Sequence, residues 1–167
     1  MKTYSIRPEQ VGDEAAIHDL VKRAFAPMPF SDGDEQELVD ALRAAGDLIH
    51  SRVAVDPDGV VIGHIAFSPV TIAGQSCGWF QMAPVSVTPE FQRRGIGSAL
   101  IKTGIELMRQ SGAQGIGVVG NPAYYERFGF AVVPNLGPDG PDAIYFRAIV
   151  LKGPTPAGVV RYAAAFG

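Results

Sequence analysis

The chain of 167 residues has one cysteine, one tryptophan and three histidines, and each scarcity removes a class of function. A lone thiol, Cys77, permits no intramolecular disulfide, and the opening MKTYSIRPEQ lacks the apolar core of a secretory signal. A reducing, cytoplasmic setting is expected. His18, His50 and His64 are far apart and follow neither H-E-x-x-H nor a paired C-x-x-C arrangement, so no metal is expected. No uninterrupted apolar run is long enough to span a bilayer, and no membrane partner is expected. Charged residues make up only 19%, with 14 Lys and Arg against 17 Asp and Glu, a net charge of −3. The basic residues form no cluster of the kind that phosphate backbones require, which excludes a dedicated nucleic-acid binder.

What is present is material for a core. Hydrophobic residues reach 47%, so a packed structure rather than a disordered or fibrous one is expected. With no internal repeat and no linker, residues 1–167 are expected to form a single domain. Thr3 to Arg7 alternates as a short strand that Pro8 closes. Ile17, Leu20, Val21, Ala24 and Phe25 recur at helical spacing from Asp13 to about Ala26. Leu38, Ala41, Leu42 and Ala45 do the same from Asp34 to Ala45, with Gly46 as the stop. Leu48 to Val55 and Val60 to Val70 form a hairpin about Asp56-Pro57-Asp58-Gly59. Thr71 to Gly78 reads as a second turn region before a strand from Trp79 to Val87. Pro84 in that strand predicts an edge position or a bulge, because it cannot donate to a central ladder.

A helix is expected from about Ile96 to Ser111, then a strand from Gly115 to Val119. Asn121-Pro122 opens a further helix with a cap and a proline at its first position. Phe130 to Val133 and Ala143 to Leu151 read as strands joined by a Pro/Gly-rich loop. The tail from Pro154 carries Val159, Val160, Tyr162 and Phe166 and is expected to pack, as an added strand or a dimer contact. The order of elements predicts a three-layer α/β fold.

The segment richest in chemistry is Gln92-Arg93-Arg94-Gly95-Ile96-Gly97-Ser98, between a strand and an apolar helix. Glycines there let backbone N–H groups turn toward an anion, and the helix start offers unpaired donors and a positive dipole end. The plainer reading is a turn with solvated arginines. A nucleotide-hydrolysing loop would need Gly-Lys-Ser/Thr, and Gly97 is followed by Ser98 with no lysine. A dinucleotide fingerprint would need Gly or Ala where Leu100 stands, after the first strand of the fold.

The run QRRGIG resembles the acetyl-coenzyme A signature of the GNAT N-acetyltransferase superfamily. MAPVSVTPEFQRRGIGSAL looks like that family's fourth strand entering its third helix, and GNPAYYERFGF is similar to its second motif. The resemblance implies a GNAT-like acyl-CoA N-acyltransferase fold with a mixed central sheet and helices on both faces. It implies acetyl-CoA as acyl donor and a small-molecule or peptide amine as acceptor. Gln92, Arg93, Arg94, Gly95, Ile96, Gly97 and Ser98 would hold the pyrophosphate. Val85, Ser86 and Val87 would offer strand backbone to the pantetheine and acetyl groups, with Asn121 in the cofactor-binding set. Tyr125 aligns with the tyrosine that serves as general acid. An acyl-CoA binding or sensor module without efficient turnover is the alternative.

The amine poses its own difficulty. With a reference pKa of about 10.4, a lysine-like amine is almost wholly protonated at neutral pH, so a base or a water chain is expected. His64 and Glu35 are the candidates, although His64 also reads as an ordinary sheet residue. Tyr124 and Tyr125 point about 100° apart on a helix, so one of them is expected to pack. Asp32, Asp34, Glu35, Glu37 and Asp40 suit a helix N-terminus and could also attract a cationic acceptor. Cys77, with no His or Asn nearby, is expected to be a passive thiol.

Overall fold

In the computed structural model, which describes residues 3–29 and 31–167, Cα packing separates two units. The first holds the chain up to Phe67 together with Ala83–Gly104, and the second holds Ser68–Met82 and Ile105–Gly167. Three elements run through both: β3 (Val61–Ile72), β4 (Gln75–Val87) and α3 (Ile96–Gln110).

The first unit adds β1 (Ser5–Pro8), α1 (Glu14–Phe25), α2 (Glu35–Ala45) and β2 (His50–Val55). Strands are hydrogen-bonded in the order β1-β2-β3-β4. The antiparallel register sets Arg7 against Val53 and Val53 against His64. Both helices follow the apolar periodicity of the sequence. Ile17, Leu20 and Val21 of α1 and Val39 of α2 close over Val53, Val55 and Val61 in one buried cluster. Asp13 stands at the cap position of α1, but its carboxylate is taken by Arg7 at 2.7 and 3.1 Å rather than by the helix. Gly46 ends α2 in the left-handed conformation, φ 77°. The other face of β3 receives the start of α3. A Cβ at Gly63 would lie 3.0 Å from Leu100, and one at Gly104 would lie 2.8 Å from Phe67, so the missing side chains set how closely helix and strand approach.

The second unit adds β5 (Gly115–Val119), α4 (Pro122–Glu126), β6 (Leu136–Gly137), β7 (Phe146–Val150) and β8 (Gly158–Arg161), and its strands run β3-β4-β5-β7. β5 lies parallel to β4 through Trp79↔Gly115 to Gln81↔Gly117, and antiparallel to β7 along its whole length. Val70, Ile72, Trp79, Leu136, Phe146, Ala148 and Val160 form its buried cluster. Parallel and antiparallel pairings in one sheet, with helices, make the mixed α/β class expected from the element order.

Local expectations change at three places. The turn between β3 and β4 is not the eight residues Thr71 to Gly78 but Ala73-Gly74, at φ 53° and 78°. Two left-handed residues are the signature of a tight hairpin, and the polar start of β4 concealed the strand. The pairing of β4 with β5 runs from Trp79 to Gln81 and stops short of Pro84, so the edge and bulge readings of Pro84 are both compatible with its place in the strand. In an unbroken hairpin about Ala73-Gly74, Ile62 would face Val85, yet its carbonyl accepts from the N–H of Thr88 at 2.9 Å. The extra residues of β4 are taken up in the stretch that contains Pro84.

Phe130 to Val133 is not a strand but a single bridge, Ala131 to Ala148. The last expected strand begins at Phe146, because Pro141–Tyr145 winds into a 3-10 turn that leaves Ile144 and Tyr145 exposed. The tail does form an added strand: β8 pairs antiparallel with the end of β3 and parallel with β6.

Candidate functional site

The loop after β4 turns the chain directly into α3. Pro89–Phe91 makes a 3-10 turn, and the Gln92 side chain ties the loop back to the strand by donating to the Val87 carbonyl at 3.0 Å. Arg93 and Gly95 both take positive φ, 64° and 83°, the left-handed conformation that anion-binding backbone turns use. The first bond of α3 in this turn runs from Ala99 N–H to the Gly95 carbonyl at 3.0 Å. The N–H groups of Ile96, Gly97 and Ser98 therefore have no partner within the helix. Ile96 is buried and anchors the turn, while Gly97 and Ser98 are half-buried and Arg93 is exposed. The Arg94 guanidinium stacks over Phe91, 5.2 Å from the ring centroid, so it is held beside the loop.

The strand leading into the loop presents two sets of backbone donors. Because Thr88 bonds Ile62 in β3, alternation directs the N–H of Ser86 to β3 as well, and those of Val85 and Val87 to the opposite edge. The burial pattern agrees, with Ser86 and Thr88 buried and Val85 and Val87 half-buried.

In the second unit, the Asn121 side chain caps α4 by accepting from Ala123 N–H at 3.1 Å, with Pro122 at the first helical position. Tyr125 packs edge-on against Tyr124, centroids 5.1 Å apart, and against Phe130 at 6.1 Å. Its ring fills the notch left by Gly120, where a Cβ would come within 2.6 Å of it. Burial first, and then neighbouring Tyr124, push the Tyr125 phenol up to about 12, so it carries its proton at neutral pH. Tyr124 meets Phe128 at 5.3 Å and the Arg127 guanidinium at 5.1 Å, so both tyrosines of the pair have packing partners.

The two candidate bases separate clearly. The carboxylate of Glu35 accepts from Ser31 Oγ at 2.6 Å, a contact at the start of α2. His64 is fully buried, and Ser51 Oγ lies 2.8 Å from its Nε2. Burial lowers its pKa to about 4, with Arg43 adding to that effect and Glu9 opposing it. Of the acidic group, Asp40 meets His18 Nδ1 at 2.7 Å and Arg43 at 3.2 Å. An open groove of about 300 Å³ is lined by Glu14, Ala15, His18, Asp19 and Asp40. Cys77 packs against the apolar cluster of the second unit. Among the described residues no three His, Cys, Asp or Glu are grouped to hold a metal ion, and no helix is long and apolar enough to cross a membrane.

Two sets of residues escaped the sequence reading. Glu9, Arg43 and Ser51 converge on His64 from three elements, and no spacing along the chain announces that. Gly120 makes room for Tyr125; its place one residue before the Asn121-Pro122 cap was the available signal.

Against known proteins, residues 14–130 match the Acetyltransferase (GNAT) family. The uncharacterized N-acetyltransferase YhbS of Escherichia coli (strain K12) is 38% identical over 125 residues, 75% of this chain and 72% of that protein. A GNAT family acetyltransferase from Brucella melitensis, solved in complex with acetyl-CoA, has a TM-score of 0.88 and 43% identity, covering 98% of both chains. YhbS from Escherichia coli, solved in complex with CoA, gives 0.91 and 30%, covering 99% of this chain and 93% of that one.

Proposed function

The chain belongs to the GNAT acetyltransferase family, and on that premise we propose that it moves the acetyl group of acetyl-CoA to a primary amine by direct attack in a ternary complex. The observation that carries the proposal is the loop ahead of α3, read as an anion cradle: positive φ at Arg93 and Gly95, followed by the unpaired N–H groups at the start of α3. A diphosphate fits such a site, since it supplies the acceptor oxygens that these donors lack and the negative charge that a helix start favours. That relatives at 43% and 30% identity were crystallised with acetyl-CoA and CoA supports the same ligand here.

Bound there, acetyl-CoA would supply an activated thioester. Gln92 to Ser98 would hold its pyrophosphate. The N–H groups of Val85 and Val87 would take its pantetheine amide and acetyl oxygen, and the donor nearest the carbonyl would meet the charge that develops on oxygen. Tyr125, protonated well above neutral pH, is the group assigned to give a proton to the departing sulfur. Asn121 holds the helix that carries it. The presence of Tyr125 at the position that aligns with the family's general acid is what favours turnover over a binding or sensor role.

The test is thermal stability with and without acetyl-CoA for the native chain and for Gly97→Trp, followed by a primary-amine panel read by release of free thiol. A shift confined to the native chain, then turnover with an amine, is expected. No shift in the native chain would refute the proposal. A shift without turnover on any amine would leave a binding module.

A further inference from the structure

Across β1, β2 and β3 runs a half-buried polar row that ends at the fully buried His64. Glu9 follows β1 and accepts from Arg43 of α2 at 2.9 and 3.2 Å. It also accepts from Ser51 Oγ of β2 at 2.7 Å, and that oxygen lies 2.8 Å from Nε2 of His64 in β3. Burial by itself would raise the Glu9 pKa, but the hydrogen bonds from Arg43 and Ser51, with the charges of Arg43 and His64, outweigh it and hold the carboxyl below its ordinary value. A carboxylate can only accept, so the single hydroxyl proton of Ser51 is committed to Glu9. The serine oxygen is then left to accept, and Nε2 of His64 must donate. A neutral imidazole has one N–H, so its lone pair sits on Nδ1.

Among the described residues, Nδ1 of His64, Ser86 Oγ and Thr88 Oγ1 are buried without a partner, as are Ser68 Oγ, Gln81 Oε1 and Tyr162 OH. His64, Ser86 and Thr88 are 0%, 3% and 6% exposed. The bond from Thr88 to Ile62 sets Thr88 opposite Ile62, and two residues back along β4 brings Ser86 opposite His64 on the same face. An orphaned buried polar atom is rare and costly, and three in adjacent register call for a shared partner.

We propose that Glu9, Arg43 and Ser51 are positioning residues that lock His64 as the Nε2–H tautomer, and that His64 Nδ1, with the Ser86 and Thr88 hydroxyls, holds the water that takes the proton of the acceptor amine. The inference rests on the acetyl-transfer reading and names the proton acceptor within it. As the amine nitrogen bonds the carbonyl carbon, the carbon–sulfur bond breaks and sulfur leaves with the electron pair. The nitrogen's surplus proton passes to the water, and a water proton passes to Nδ1. Tyr125 protonates the sulfur, and the two groups return to their starting states by exchange with solvent; from the free amine no proton is gained or lost, and the proton that the ammonium sheds beforehand goes to solvent. An imidazole of low basicity suits this timing. It is too weak to strip a free ammonium of pKa about 10.4, but adequate for a nitrogen made acidic by the forming bond. The charged groups facing His64 are Glu9 and Arg43.

The first test needs no ligand. Imidazole ¹⁵N–¹H correlation spectra between pH 5 and 8 should show His64 protonated at Nε2 and bare at Nδ1 throughout, with Ser51→Thr unchanged and Ser51→Ala losing the single tautomer. A proton on Nδ1, or a titration near the ordinary pKa of about 6.5, overturns the proposal. The second test uses the amine found by the panel. Ser51→Ala and His64→Gln should lower kcat by roughly 10²-fold or more, with KM for acetyl-CoA and the acetyl-CoA thermal shift unchanged and with Ser51→Thr restoring the rate. Turnover by His64→Gln equal to that of the native chain would overturn this inference alone. Absence of turnover in the native chain would overturn both, and absence of the thermal shift would point to the cradle.

Discussion

Acid should weaken this protein through one residue more than any other. His64 is fully buried with its pKa lowered from 6.5 to about 4, chiefly by burial. A depressed pKa means that the unfolded chain binds a proton more readily than the folded one. The stabilisation is present above the unfolded value of about 6.5 and is lost as pH falls toward about 4. The gap corresponds to about 3 kcal/mol, of which about 2 should be gone by pH 5. For a chain of this size that is roughly 4 to 8 °C in Tm.

The window above pH 5 matters because the carboxyls of Glu9 and Asp13, both held below their ordinary values, lose their contributions only at lower pH. Urea unfolding at half-unit steps from pH 7.5 to 5 measures the slope. In His64→Gln, whose amide can still donate to Ser51 but does not titrate, most of the slope should vanish. His50, also lowered by burial and by Arg52, leaves a residue of the same sign that His50→Gln removes. A flat native profile, or a slope that survives intact in His64→Gln, would refute the reasoning.

Other expectations follow from the same geometry. Gly120→Ala forces a Cβ to 2.6 Å from the Tyr125 ring, so turnover should fall and stability drop by about 1–3 kcal/mol, read by amine-dependent thiol release and urea unfolding. Tyr125→Phe should keep the acetyl-CoA thermal shift and lose roughly 10²-fold in kcat; unchanged kcat would remove its assigned role. Gly115→Ala would bring a Cβ to 2.2 Å from the Trp79 indole, costing about 3 kcal/mol or more, and the chain's one tryptophan reports the change by fluorescence. Asn121→Ala should cost about 1 kcal/mol in urea unfolding, while Asn121→Asp, an equal cap, should cost far less.

Much of the fold was legible because its signals are local. The helices at 14–25, 35–45 and 96–110 follow an apolar stripe that a single turn of chain reveals, and Asn121-Pro122 is a cap readable in two residues. The glycine-punctuated loop at Gln92 to Ser98 and its lead into α3 were legible for the same reason, since they lie on consecutive residues. The strand expected at Phe130 to Val133 failed because β character depends on a partner, and only Ala131 finds one. The long turn expected before Trp79 failed because two residues at positive φ suffice. Pro84 left edge and bulge open, and the structure gives the site both characters: the pairing with β5 ends at Gln81, and β4 carries extra residues against β3.

By itself the order of residues determined the α/β class, the glycine loop ahead of α3, the capped helix bearing Tyr125 and the family, all properties written in contiguous stretches. The tertiary structure alone decided which polar groups meet. Glu9, Arg43, Ser51 and His64 are separated by as many as 55 positions, yet hydrogen bonds of 2.7 to 3.2 Å join them. Strand register and helix packing set those distances, and neither can be counted along a chain.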